Sequence, residues 1–148
     1  MHNWNQRFID LAYVVASWSK DPSTKVGAVI VRPDNTIASV GYNGFPRGIE
    51  DDDRLNDRAK KYPRVVHAEV NAILNAHERV KWCSIYTTLH PCCDCAKFII
   101  QAGIDAVYFD PYTPPHMKES KNWVDSLSVA KDMFSEAGVL SFLVPQSP

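Results

Sequence analysis

The chain has 148 residues, 45% of them hydrophobic and 22% charged, with a formal net charge of −1. One compact domain over residues 1–148 is expected at this length, and the composition excludes disordered and collagen-like classes. No apolar run reaches the ~18 residues of a membrane span, and the near-neutral charge disfavours a polynucleotide partner. The first residues, Met1-His2-Asn3-Trp4-Asn5-Gln6-Arg7, lack the basic-then-apolar layout of a secretion signal, so a cytoplasmic protein is expected.

Trp4, Phe8, Leu11, Ala12, Val15 and Trp18 recur at three- and four-residue spacing, which predicts an amphipathic helix capped by Asn3 and ended by Asp21-Pro22. Val26–Val31 and Thr36–Tyr42 flank Pro33-Asp34-Asn35 and read as an antiparallel hairpin. A long loop follows over Asn43–Arg64, with a short helix around Leu55–Lys61. Its Arg58, Lys60, Lys61 and Arg64 come after the acidic Glu50–Asp53 and Asp57, and this mixed segment reads as a solvated loop. Helix Val66–Arg79, strand Ser84–Leu89, helix Cys92–Ala102 and strand Ala106–Phe109 are expected next. An irregular connection over Asp110–Glu119, helix Asn122–Ala137 and strand Val139–Val144 complete the chain. Helices alternating with strands after one hairpin predict an α/β fold with a mixed sheet covered on both faces.

The chain carries four cysteines, and three of them, Cys92, Cys93 and Cys95, fall within four positions. A disulfide framework joins distant segments, whereas this spacing points to metal or redox chemistry. Pro91 suits the first turn of a helix, from which Cys92 and Cys95 share one face and Cys93 points away. Thiolates there gain from the helix dipole. His67 and Glu69, two apart, would diverge in mid-helix, but at a helix start the first residue need not be helical. His67, Cys92 and Cys95 then give a zinc ion three ligands and leave its fourth position open, as in a catalytic site. Glu69 is the candidate proton carrier beside it. Taken singly, His-x-Glu also fits a surface pair, and Cys-x-x-Cys a structural half-site or redox pair. His2, His77, His90 and His116 are read as bland, with a pocket-lining role for His90, just before Pro91, as the lesser alternative.

His67-Ala68-Glu69 followed by Pro91-Cys92-Cys93-Asp94-Cys95 resembles the zinc-dependent cytidine and nucleobase deaminases. The likeness to the deoxycytidylate (dCMP) deaminases, including viral members, runs through Asp21–Ala28, Gly41–Gly48, His67–Ile73 and Tyr86–Lys97. It weakens after Tyr112. The resemblance implies a cytidine-deaminase-like three-layer α/β/α fold with a five-stranded mixed sheet. It implies one catalytic Zn2+ per chain and hydrolysis of dCMP to dUMP and ammonia, supplying dUMP for thymidylate synthesis. A homo-oligomer, with a hexamer favoured, would be activated by dCTP and inhibited by dTTP, each with Mg2+, at a site including Gly41, Tyr42, Asn43, Gly44 and Arg47. For the substrate, Asn43 suits a sugar hydroxyl, Lys25 and Thr24 the 5′-phosphate, and Tyr112 resembles the aromatic that stacks on the base. The loop over Asn43–Arg64 has no cysteine, so a second, structural zinc is not expected. Two alternatives stay open: a deaminase of another cytosine or adenine substrate, and a non-catalytic zinc-stapled nucleotide-binding module.

Overall fold

A computed structural model describes residues 3–148; Met1 and His2 lie outside the described residues. Helix α1 (Trp4–Ala16) starts where the Asn3 side chain accepts the Gln6 N–H at 3.2 Å. Strands β1 (Gly27–Val31) and β2 (Ile37–Tyr42) form the hairpin. The following loop holds a single 3-10 turn (Asp53–Asn56) and the short helix α2 (Arg58–Lys61). Then come α3 (Ala68–Asn75), β3 (Ser84–Thr87), α4 (Cys93–Gln101), β4 (Ala106–Phe109), α5 (Pro115–Lys118), α6 (Lys121–Ala137) and β5 (Leu140–Leu143).

Several boundaries differ from expectation, α1 among them, which ends at Ala16 well before Asp21-Pro22; three differences have a clear local reason. Helix α3 stops at Asn75, because Ala76 turns extended (ψ 133°) and Glu78 is drawn across to the Arg32 guanidinium. Helix α4 starts at Cys93, because Cys92 is its N-cap and Pro91 precedes the cap. The segment expected to be irregular contains α5, nucleated by Pro115 at its first position.

The sheet order is β2-β1-β3-β4-β5, with β1 antiparallel to both β2 and β3, and β3, β4 and β5 parallel. All five residues of β1 are buried, so this strand is covered on both faces. Ala28 and Ile30 point into a core with Ala68, Ala72, Ile99 and Phe134 from α3, α4 and α6. Val29 and Val31 point the other way, to Phe8, Ile9 and Ala12 of α1. The result is the expected three-layer α/β/α arrangement. Close approach sets both layers. A Cβ on Gly27 would lie 2.0 Å from the Ala12 carbonyl oxygen, and one on Gly41 2.3 Å from the Ala72 nitrogen. Both glycines are therefore contact points where a helix backbone rests on the sheet.

This topology brings the chemistry to one edge. Gly27 pairs with Tyr42 and Ala28 with Thr87, so the start of β1 and the ends of β2 and β3 lie together. The loops leaving that edge lead into the N-termini of α3 and α4, the usual place for a ligand crevice in such sheets.

Candidate metal centre and active site

His67 is the N-cap of α3, with extended backbone (φ −70°, ψ 155°) and no capping hydrogen bond from its side chain. Its imidazole is thus free to turn toward α4. Cys92 likewise sits ahead of α4 in extended conformation (φ −70°, ψ 171°), and its sulfur accepts the Cys95 N–H at 3.4 Å. The two cysteines therefore meet through a cap, rather than through one face of a regular turn. His67 Nδ1 lies 3.2 Å from Cys95 Sγ and 3.4 Å from Cys92 Sγ. A tetrahedral zinc with Zn–S about 2.3 Å and Zn–N about 2.0 Å sets sulfur and nitrogen about 3.5 Å apart. All three donor atoms lie within 4.8 Å of one another, so the donor set and its spacing fit zinc. Cys93 packs against the core instead.

The three donor groups are coupled to one another and share protons that a bound metal would displace. The Cys92 thiol is held down to about 4 by its hydrogen bond with Cys95, with His67 adding to the effect. His67 is raised to about 9, chiefly by its hydrogen bond to Cys92. Hydrogen bonding to Cys92, with burial, pushes the Cys95 thiol upward. Glu69, one residue into α3, is only 4% exposed, and burial pushes its carboxyl up to about 7 although His67 pulls the other way. A carboxyl so placed exchanges protons near neutrality.

His67, Cys92 and Glu69 open onto a cavity of about 450 Å³, while Cys95 lies buried behind them. Of the residues expected to bind substrate, Thr24 and Asn43 line it, whereas Lys25 and Tyr112 do not. Lys25 Nζ donates to the Ser19 carbonyl at 2.5 Å. Tyr112 is 60% exposed, its N–H held by Asp110 at 2.9 Å. Asn43 braces the site: its Oδ1 accepts the Val26 N–H at 2.9 Å and its Nδ2 donates to the Thr24 carbonyl at 2.9 Å. Of the residues assigned to a regulatory nucleotide, Gly41 is buried beneath α3 while Tyr42 is exposed and touches Trp18 edge-on. Gly44 bridges Val66, and Arg47 reaches Asn75 at 3.4 Å.

The cavity also holds residues that sequence reasoning missed. His90 lines it, against its bland reading and in line with the lesser alternative its place before Pro91 left, with Nδ1 2.8 Å from the Pro91 carbonyl and burial lowering its pKa. His116 lines it too, contrary to its bland reading, as do Trp123 and Ser126 of α6. Lys61 and Arg58 form part of the wall, and Lys61 is only 7% exposed, so this part of the basic cluster is not a solvated loop. The Pro114-Pro115 pair is a helix-start signal for α5, but nothing in local spacing carries α5 or α6 to the cavity.

Comparison with known proteins bears on this geometry. The family model for the cytidine and deoxycytidylate deaminase zinc-binding region matches residues 2–110. The chain belongs to that deaminase family. It is 46% identical to an uncharacterized deaminase of the luxG 3′ region of Aliivibrio fischeri, over 92% of this chain and 90% of the relative. It is 43% identical to human deoxycytidylate deaminase, over 92% of this chain and 76% of the relative. Among solved structures, the dCMP deaminase of cyanophage S-TIM5 in complex with dCMP and dUMP superposes with a TM-score of 0.73 at 26% identity, covering 93% of this chain and 94% of that one. The deaminase motif residues of this chain are those that converge at the metal centre, and no helix among the described residues is long and apolar enough to cross a membrane.

Proposed function

We propose that the chain hydrolyses dCMP to dUMP and ammonia, using one zinc ion held by His67, Cys92 and Cys95. The observation that carries this reading is the buried Glu69 carboxyl beside that ligand trio, at the wall of a cavity large enough for a nucleotide. Similarity to the human deoxycytidylate deaminase over most of both chains supports the substrate, as does the likeness to the cyanophage structure with dCMP and dUMP. A non-catalytic zinc module leaves Glu69 and the cavity without a role.

Zinc, when bound, supplies Lewis-acid activation of water. Glu69 takes a proton from the attacking water and hands it to N3 of cytosine, which makes C4 electrophilic. The C4–O bond forms, and Glu69 moves the remaining proton of that water from the new C4 hydroxyl to the exocyclic nitrogen. The C4–N bond then breaks, ammonia leaves and uracil remains. Asn43 and Thr24 hold the sugar-phosphate side of the cavity.

The same resemblance underlies the remaining parts of the proposal: supply of dUMP for thymidylate synthesis in the cytoplasm, a hexameric homo-oligomer, and activation by dCTP or inhibition by dTTP with Mg2+. Tyr42, Gly44 and Arg47 offer surface to such an effector, with Asn43 behind them. Gly41 enters only as the contact that fixes β2 against α3.

The test is loss of cytosine absorbance with dCMP and zinc-loaded protein, alone and with dCTP–Mg2+ or dTTP–Mg2+. Turnover raised by dCTP and lowered by dTTP is expected. Absence of dCMP turnover, with turnover of another cytosine or adenine substrate, would replace the substrate; zinc binding with no deamination of any of them would leave a binding module.

A further inference from the structure

Asp110 is a buried carboxyl that the chemistry above does not use. It is 5% exposed and follows β4, where its N–H donates to the Thr87 carbonyl at 3.2 Å and carries the β3–β4 pairing one residue further. Three donors from distant parts of the chain meet its side chain. Oδ1 accepts the Tyr112 N–H at 2.9 Å. Oδ2 accepts the Gln146 N–H at 3.2 Å and also the Tyr13 hydroxyl. A buried carboxylate is tolerated where donors surround it, and hydrogen bonds to it are stronger than those between neutral groups. Helix α1, the segment after β5 and the connection after β4 are thus fastened at one point.

The segment after β5 reaches Asp110 along a track on α1. Gln6, Asp10 and Tyr13 recur at four- and three-residue spacing and so share a helix face. Gln6 Nε2 donates to the Pro145 carbonyl at 2.9 Å, and Asp10 Oδ2 accepts the Ser147 hydroxyl at 2.8 Å. None of Gln6, Asp10, Tyr13 and Gln146 lines the cavity. Helix α1 packs on the face of the sheet opposite α3 and α4, which carry the metal centre.

On the cavity side, the same carboxyl holds the root of the segment that leads to α5. Pro111, Pro114 and Pro115 restrict φ along this short link, so the placement of its root is passed on to α5. His116 and Met117 of α5 form part of the cavity wall, and His116 Nε2 lies 3.1 Å from Thr24 Oγ1.

We propose that Asp110 is a positioning residue for the reaction. Clamped from behind the sheet by Tyr13 and Gln146, it fixes the root of the α5 segment and so keeps His116 and Met117 in the wall that encloses the substrate. The proposal rests on the dCMP reading above. Tyr112 enters it only through its backbone N–H. Glu69 and the metal ligands stand on other elements, so the clamp acts on substrate capture and leaves proton transfer alone.

The test combines hydrogen exchange with dCMP kinetics in zinc-loaded protein. Tyr13→Phe removes one hydroxyl and keeps the ring, Gln146→Pro removes one N–H, and Asp110→Asn keeps the volume and removes the charge. Loss of one hydrogen bond to a charged group shifts a local opening equilibrium by about tenfold. Amide exchange over residues 112–118 is expected to quicken accordingly in each variant, with α3 and α4 exchanging as in wild type. With α5 less often in place, KM for dCMP is expected to rise by about threefold to tenfold, while kcat and zinc content hold. Asp110→Asn risks misfolding, and Tyr13→Phe then decides the matter alone. Unchanged exchange over residues 112–118 in Tyr13→Phe overturns the proposal. So does faster exchange with an unchanged KM, or a lower melting temperature with both kinetic constants retained, either of which makes the junction scaffold only. Those results leave the dCMP reading intact. A wild type that does not deaminate dCMP overturns that reading and this role with it.

Discussion

Glu69 follows a histidine that caps its own helix, and that placement lets residues two apart serve one site. In mid-helix their side chains would diverge by about 200°, since each residue turns about 100°. With His67 extended, the imidazole swings to the cysteines while Glu69 stays inside the cavity wall. Glu69→Gln keeps the volume and removes the exchangeable carboxyl proton. We expect kcat to fall by roughly 10²- to 10⁴-fold, the usual worth of a positioned acid-base group, with zinc content by atomic absorption unchanged. Full turnover with zinc bound would remove Glu69 from the proton path. The aromatic residues give a second contrast. Tyr112 is exposed outside the cavity and Trp123 lines it. Steady-state kinetics should therefore show Tyr112→Ala within about twofold of wild type, as for other exposed sites. Trp123→Ala should raise KM by about tenfold or more through loss of an aromatic wall against a base. The reverse ranking would restore Tyr112 as the stacking residue.

Between elements, one hydrogen bond joins the last helix to the start of α4, beside the metal centre. Ser126 Oγ of α6 accepts the Cys93 N–H at 2.8 Å, at the first residue of α4 and next to the ligand Cys92. Ser126→Ala leaves that N–H without its acceptor, at a cost of about 1–3 kcal/mol. It should lower the melting temperature and loosen the turn that holds Cys92, read as faster zinc loss to a chelator. Ser126→Thr, which keeps the hydroxyl, should restore zinc retention; equal retention in all three proteins would make the bond incidental. Such a contact also marks where sequence reading stops. The hairpin, the alternation of helices and strands, and the trio His67, Cys92 and Cys95 were legible, because local periodicity and short spacing encode them. The approach of α6 to α4 depends on packing between residues 33 apart, which leaves no periodic trace. Lys61 was misread for a related reason. Its neighbours Arg58, Lys60 and Arg64 make the segment look solvated, and partners distant in sequence, Asp21 and Ser23, draw this one ammonium inside.

For the molecule as a whole, the site depends on how closely its layers approach. Helix α3 carries His67 and Glu69 at its start and rests on β2 at Gly41, where an added Cβ would lie 2.3 Å from the Ala72 nitrogen and 2.5 Å from the Ala68 carbonyl oxygen. Both obstacles are backbone, so no side-chain rotation relieves them. Gly41→Ala must push α3 off the sheet, and overpacking of this kind costs about 1–3 kcal/mol or more. The displacement begins at Ala68, between the metal ligand and the proton carrier, so stability and catalysis should fail together. Gly44 stands three residues on, in the same stretch assigned to a regulatory nucleotide, and a Cβ there meets nothing within 4 Å. Thermal melts and dCMP kinetics on both variants separate scaffold from effector surface. Gly41→Ala should lose several degrees of melting temperature and most of its turnover, with or without dCTP–Mg2+. Gly44→Ala should melt as wild type and keep its basal turnover, so that any change it shows is confined to the response to dCTP or dTTP. A stable, active Gly41→Ala protein with an altered effector response would return Gly41 to the nucleotide site and show that α3 can ride further from the sheet than its backbone contacts imply.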